Sequence, residues 1–293
     1  MDISIIIVNY NGGEKINDTI HSVLTTSEKT EVEVIVADNA STDGSPEAII
    51  KTFGGRITLV EMGRNAGFAA ANNAGVKKAS GKYILFLNPD TIVLDGALQT
   101  MLNYMEAHTK VGACGGNLYS RDMQPQFSYW TLLPGLRMEL NGLFSDYFLH
   151  RKHKGSYEHN YTGKPKEVAY IMGADLMVRK EVIDQVGPMD EDFFLFYEET
   201  ELCYRIHKAG YKVVNVPDAK IIHLEGKTID TIGIRREQMM RSRSIYLNKC
   251  CSPVERGAAN TVLAISCLIR IMLFGLSGNK QKVNFWKYTL QHI

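Results

Sequence analysis

The chain has 293 residues, 33 Lys+Arg against 32 Asp+Glu, and is 45% hydrophobic and 22% charged. That composition is globular with a full core, and it excludes disordered, collagen-like and disulfide-scaffold proteins. The net charge of +1 gives no global electrostatic reason for a nucleic-acid partner. Cys114, Cys203, Cys250, Cys251 and Cys267 form no CxxC and no Cys/His pair at zinc spacing, which suits a reducing compartment. Met1-Asp2 leads directly into Ile3 to Val8 without the positive segment and cleavage site of a secretory leader, so this run reads as a first buried strand.

The run breaks at Asn9 to Gly13, and Ile16, Ile20, Val23 and Leu24 then recur at helical spacing. Val32 to Ala37 is a second strand, followed by the turn-rich Asn39 to Gly44 and a helix opened by Ser45-Pro46. Ile57 to Val60 predicts a short strand, Gly67 to Ala79 a helix of small residues, and Tyr83 to Leu87 a further buried strand ending at Asn88-Pro89-Asp90. This alternation predicts an α/β fold with a mostly parallel sheet and helices on both faces. From Gly112 the pattern is less regular, with an aromatic stretch at Phe127 to Trp130 and a polar segment, His150 to Lys166, that reads as a mobile loop. Val168 to Met172, Ala174 to Val178, a helix at Lys180 to Val186, a helix at Glu199 to Ala209, and strands at Lys212 to Val216 and Lys220 to His223 follow.

The C-terminal region differs. Lys227 to Arg256 is basic, and Ala258 to Leu276 is long enough to span a bilayer with Arg270 as its one charge. Arg270, polar Asn260, Thr261 and Ser266, and the flanking Lys280, Lys282, Trp286, Lys287 and Tyr288 favour a helix lying on a membrane surface over one that spans it, and the plainer reading is a buried helix packed on the preceding domain.

Ligands of open α/β sheets collect at the carboxyl ends of strands, where Asn9, Asp38, Asn65 and Asp90 lie. Asp38-Asn39-Ala40-Ser41-Thr42-Asp43-Gly44 is a good turn by composition, but its place after a buried strand also lets a carboxylate accept the N–H of a pyrimidine. Asp90 in Asn88-Pro89-Asp90 suits a divalent cation beside a diphosphate, although the tripeptide is also a common loop. In Phe193 to Arg205 an aromatic stretch precedes Glu198 and Glu199, an environment that raises a carboxyl's proton affinity and suits a general base. The plainer reading makes these first-turn residues favoured by the helix dipole, with Glu201 and Arg205 as an i,i+4 pair. His223 ends an apolar strand as either a structural histidine or a metal ligand, and Leu224 to Lys227 could close over a phosphate.

Taken in order, Val8-Asn9-Tyr10-Asn11, Asp38 to Gly44, Asn65-Ala66-Gly67-Phe68-Ala69, Leu87 to Asp90, Gly173-Ala174, Phe193 to Arg205 and His223 resemble the inverting family 2 glycosyltransferases with a GT-A fold. The similarity is greatest to the rhamnosyltransferase-like branch and covers roughly residues 1 to 245. It implies a GT-A catalytic domain over 1–225, with a nucleotide-sugar half (1–111) and an acceptor half (112–225), and a helical, membrane-associating extension over 226–293.

The resemblance also implies site roles. Asp38 would recognise uracil or thymine, with Asn9, Asn11, Asn39, Asp43, Asn65, Gly67 and Asn88 bordering the nucleotide sugar. Asp90 matches the last carboxylate of the family's DxD motif and would ligate Mg2+ or Mn2+ with His223, whereas Asn88 replaces the motif's first Asp. The family's catalytic Asp falls on Glu199, leaving Glu198 as the other candidate base. Gly173, Ala174 and Asp175 would lie beside donor sugar and acceptor.

The expected reaction is transfer of a sugar, rhamnose in this branch, from a dTDP- or UDP-linked donor to a saccharide or polyprenyl-diphosphate-linked acceptor, in the cytoplasm or on the inner face of the plasma membrane. The carboxylates favour an active enzyme over a silent nucleotide-sugar-binding scaffold. No Gly-rich loop with a following Lys appears after the first strand, which disfavours a nucleotidyltransferase.

Overall fold

A computed structural model describes residues 1–27, 30–148, 158–224 and 232–293. Much of the loop expected at 150–166 (residues 150–157), Glu225 to Lys227 of the phosphate loop and the first residues of the basic stretch lie outside the described residues.

In chain order the elements are β1 (Ile3–Asn9), α1 (Lys15–Thr26), β2 (Val32–Asp38), α2 (Ser45–Phe53), β3 (Thr58–Glu61), α3 (Phe68–Val76) and β4 (Tyr83–Leu87). Next come β5 (Thr91–Val93), α4 (Ala97–Ala107), β6 (Val111–Tyr119), β7 (Tyr129–Trp130), α5 (Leu136–Phe148), β8 (Lys166–Glu167) and β9 (Tyr170–Ile171). The chain finishes with β10 (Asp175–Arg179), α6 (Lys180–Val186), α7 (Glu198–Lys208), β11 (Lys212–His223), α8 (Ile232–Cys250), α9 (Pro253–Leu276) and α10 (Lys280–Gln291).

These form two compact units, 1–131 with 155–230 and 132–154 with 231–293. The first holds a sheet of order β3-β2-β1-β4-β10-β6-β11-β5, with β8 alongside β11. From β3 to β4 all neighbours are parallel, as the alternating pattern predicts. Beyond β4 the sheet is mixed, since β10 runs antiparallel to β4 and β6, and β11 runs parallel to β6 but antiparallel to β5.

Strand β1 is buried throughout and, apart from Ser4 and Asn9, apolar, because both its faces are covered. Ile3, Ile5 and Ile7 pack in one cluster with Ile16, Ile20 and Val23 of α1. On the other face α3 comes so close that a Cβ on Gly75 would stand 2.6 Å from Ile6 Cγ2, which explains its small residues.

Strand β6 is the main element the sequence pattern does not show. Its glycines read as loop, yet they are sites of close approach within a buried strand. A Cβ on Gly116 would lie 2.3 Å from the Ala219 carbonyl oxygen, and one on Gly115 would lie 2.3 Å from Ile171 Cγ2. The two strands expected between Lys212 and His223 are one strand, β11, whose register shifts between Asn215 and Lys220 around Pro217. Arg179 ties the mixed half together from a buried position, donating to the Val111 and His108 carbonyls and the Tyr83 hydroxyl at 2.7, 3.1 and 2.9 Å.

The second unit is helical. Ser252 caps α9 by accepting the Glu255 N–H at 3.2 Å, half of a capping box. Ala259, Leu263, Ser266 and Cys267 form the buried stripe of α9. Ile265, Leu268, Ile269, Met272, Leu273 and Leu276 recur at i, i+3, i+4, i+7, i+8 and i+11 as an exposed apolar row. Arg270 does not interrupt that row, because its guanidinium stacks 4.5 Å over Trp286 and donates to the Gly142 carbonyl.

Candidate active site

The parallel half of the sheet ends in a loop cluster held by Asn side chains. Fully buried Asn9 places its amide nitrogen 2.8 Å from Asp38 Oδ1 and Ser45 Oγ and 3.1 Å from Ser41 Oγ. Its amide oxygen accepts the Gly12 N–H at 3.2 Å. Asn9 is therefore consumed in holding the Asp38 loop, and Asp38 also accepts the Ser41 N–H at 3.1 Å. Asn11 and Ala40 occupy the left-handed region at φ 51° and 64°, where each turns the chain sharply. Asn11 Oδ1 accepts the Thr42 N–H. Burial works to raise the Asp43 carboxyl, but donors from Ser45 and the Gly13 N–H outweigh it and hold the pKa below the ordinary value.

Asn39 carries this order to the next loop. Its amide donates to Asn65 Oδ1 at 2.8 Å and its oxygen accepts the Ala66 N–H at 2.8 Å. Gly67 follows at φ 94°, and a Cβ there would lie 2.7 Å from the Phe194 carbonyl oxygen. Only glycine meets both demands. The contact matters because the Phe68 N–H donates to that same Phe194 oxygen at 2.8 Å, joining the nucleotide-side loops to the segment before α7.

At the end of β4, Asn88, Asp90 and His223 converge. The antiparallel pairing of β5 with β11 sets His223 opposite Thr91, one residue from Asp90. His223 Nε2 stands 3.4 Å from Asp90 Oδ1 and from the Asn88 amide nitrogen. Two donors bound in adjacent positions to an octahedral ion with ~2.1 Å bonds stand about 3 Å apart, so this oxygen and nitrogen pair fits a hard divalent cation that takes its other ligands from phosphate and water. Among the described residues no cluster of three or more His, Cys, Asp or Glu side chains offers a fuller cage. The Asn88 N–H donates to the Ala174 carbonyl at 3.1 Å, which sets Gly173-Ala174 beside the pair.

The base candidates sit where α7 begins. Phe196 and Tyr197 both have positive φ, 69° and 71°, and two consecutive non-glycine residues there are held by their surroundings at a cost of about 1–3 kcal/mol each. The turn they make aims the first residues of α7 at the end of β9. A Cβ on Gly173 would touch Glu199 at 3.6 Å, Cys203 lies against the Ile171 backbone, and His207 Nε2 reaches the Ala169 carbonyl at 2.9 Å. Steps of four residues on a helix and two on a strand both advance about 6 Å, so α7 runs alongside 169–173 in register.

The two carboxyls differ sharply. Glu199 is half-buried against Gly173, and burial pushes its pKa up to about 7 against the opposing backbone N–H groups of Glu199 and Thr200. Glu198 is buried, its Oε2 has no hydrogen-bond partner among the described residues, and burial followed by the neighbouring Glu199 charge raises its pKa well above the ordinary value. Glu201 and Arg205 form the expected i,i+4 pair at 2.7 Å, and Arg205 also donates to the Val186, Gly187 and Pro188 carbonyls. That fan of bonds anchors the approach to α7.

Asp175 lies apart from the open face. It is fully buried, accepts the Gly116 N–H at 2.6 Å, and burial raises its pKa well above the ordinary value. Asn73 was not singled out in the sequence, yet its amide grips Met189 twice, at 2.8 Å to the carbonyl and 3.0 Å from the N–H. A buried Asn inside a small-residue helix is the signal that could have found it.

The model for Glycosyl transferase family 2 matches residues 4–187. The chain is a family 2 glycosyltransferase. Among this glycosyltransferase's relatives is an N-acetylglucosaminyl-diphospho-decaprenol L-rhamnosyltransferase of Mycobacterium tuberculosis, 24% identical over 75% of each chain. Another is the dTDP-rhamnosyl transferase RfbF of Shigella flexneri, 25% identical over 96% of this chain and 90% of the relative.

Solved structures share the GT-A fold. The mannosyltransferase PcManGT of Pyrobaculum calidifontis, in complex with GDP-Man and Mn2+, superposes with a TM-score of 0.60 over 99% of this chain and 85% of its own, at 17% identity. GalNAc-T7 with UDP, GalNAc and Mn2+ gives 0.61 at 17% identity over 85% of this chain, which spans only 48% of that protein.

Proposed function

We propose that this glycosyltransferase moves a hexose, rhamnose by the character of its relatives, from a dTDP- or UDP-linked donor to a saccharide or lipid-linked saccharide of the cell envelope, with inversion at the anomeric carbon. The observation that supports it most is the chain of contacts from Asp38 through Asn39, Gly67 and Phe194 to α7, and from Glu199 through Gly173-Ala174 to Asn88, Asp90 and His223. In this reading Asp38 is the base-recognition carboxylate, Asp90 and His223 are the cation pair and Glu199 is the general base.

In this reading Glu199 takes the proton of an acceptor hydroxyl, the oxygen forms a bond to the anomeric carbon, and the bond to the diphosphate breaks with its electron pair leaving on the nucleoside diphosphate. A pKa of about 7 keeps Glu199 basic enough to accept that proton and ionised in useful fraction at neutral pH. Glu198, buried and with its carboxyl pKa raised by that burial, is turned inward and is not the base in this reading. Asp90 and His223 would hold Mg2+ or Mn2+, which when bound neutralises charge developing on the leaving diphosphate.

The exposed apolar row of α9 and the cations Lys280, Lys282 and Lys287 beside it suit a bilayer surface carrying anionic lipid, where a lipid-linked acceptor resides. Leu268→Glu with Met272→Glu should abolish sedimentation with anionic vesicles, and unchanged sedimentation would overturn the membrane reading. The reaction is tested by product analysis with dTDP-rhamnose and UDP-sugars plus Mn2+. Release of nucleoside diphosphate is expected, and release of pyrophosphate, or of no nucleotide product with any donor, would contradict it.

A further inference from the structure

Strand β9 does more than lead to Gly173. Its pairing with β7 sets Trp130 opposite Tyr170 on one face and Tyr129 opposite Ile171 on the other. Ile171 and Tyr129 are buried, with Ile171 against β6, so Trp130 and Tyr170 occupy the outer face. Their rings are near-parallel, 17° apart with centroids 6.4 Å apart, and Phe127 continues the series at 6.1 Å and 6° from Trp130. Exposure grows outward, from buried Tyr170 through half-buried Trp130 to Phe127, which is 50% exposed.

We infer that Phe127 and Trp130, with buried Tyr170 packed behind Trp130, form a rail for the sugar rings of the acceptor beyond the one that receives the transferred unit. This rests on the glycosyltransferase reading of the site and extends it. Flat aromatic faces carry partial negative charge and match the C–H face of a pyranose ring, so near-parallel rings suit successive sugars of a chain. The rail is continuous with the site. Tyr170 lies three positions before Gly173, at most ~10 Å of extended chain, and the Met172 N–H donates to the Ser128 carbonyl at 3.1 Å, fixing the aromatic stretch to the segment that meets Glu199. That span is the length of about one to two sugar rings, so the aromatic series lies next to the site rather than in it.

The test uses the full chain with an accepted donor and octyl glycosides of hexoses and N-acetylhexosamines as acceptors, each as mono- and disaccharide. Phe127→Ala and Trp130→Ala should raise KM for disaccharide acceptors ~10-fold, the order lost when one buried aromatic contact goes, with kcat and donor KM unchanged and monosaccharide KM little altered. Trp130→Tyr should recover most of the loss, and exposed Phe127 guards against a folding artefact at Trp130. Unchanged disaccharide KM in both alanine variants overturns the rail, as does a wild-type enzyme stimulated no more by disaccharides than by monosaccharides. Absence of nucleoside diphosphate release by wild type with every donor overturns the underlying reaction, and the rail with it.

Discussion

The two halves of the sheet do different work. In the parallel half, β3 to β4, polar side chains at neighbouring strand ends bond to one another, Asn9 to Asp38 and Asn39 to Asn65, and make a fixed frame. In the mixed half, strand pairing brings Asp90 to His223, helix α7 brings Glu199 to Gly173, and burial raises the carboxyl pKa values of Glu198 and Glu199. In the proposed reading the hydrogen-bonded loops of the parallel half bind the donor, whereas the mixed half supplies the base and the cation pair.

Perturbations should therefore separate. The largest effect is expected from Glu199→Gln, which should lower transfer by ~10²–10⁴-fold, the range for removing a general base, while nucleotide binding in the parallel half stays intact. Wild-type kcat should rise with pH through about 7 if the proposed base Glu199 acts in its ionised form. A flat profile between pH 6 and 8 in the wild type would remove Glu199 from that role.

Next is Gly67→Ala, which meets both a φ of 94° and a Cβ placed 2.7 Å from the Phe194 oxygen. It should cost about 1–3 kcal/mol of stability and disturb both halves together, weakening nucleotide binding as well as turnover. If only one falls, the two halves are not joined through Phe194.

The smallest effect concerns Glu198. Its folded pKa is raised by burial, so its protonated form is the one that suits the fold, and stability present below its ordinary value of 4.5 is lost as pH rises. Glu198→Gln should match wild type in thermal melts near pH 4.5 and melt higher at pH 8. An equal or lower melt at pH 8 would mean that the buried carboxylate has a partner.

The parallel half was legible in the sequence because its strands are continuous apolar runs and its polar loops follow them directly, as in Ile3 to Asn9 and Val32 to Asp38. The mixed half was less so. Strand β6 hides behind Gly112, Gly115 and Gly116, whose purpose is the approach of neighbouring chain segments, and helix α4 lies where no capping signal stood out. Motif order names candidate site residues, and the sequence alone leaves Glu198 and Glu199 undistinguished. Only packing shows one carboxyl turned inward and the other facing Gly173. Asn73 and the aromatic series at Trp130 depend on long-range pairing and leave no periodic trace.

The most direct test of the division between the halves is calorimetric titration of dTDP and UDP, with Mn2+, into wild type, Glu199→Gln and His223→Ala. Glu199→Gln should bind like wild type although its transfer falls ~10²–10⁴-fold, and His223→Ala should bind at least ~10-fold more weakly, about 1.4 kcal/mol. Weakened binding in Glu199→Gln, or undiminished Mn2+-dependent binding in His223→Ala, would contradict the account.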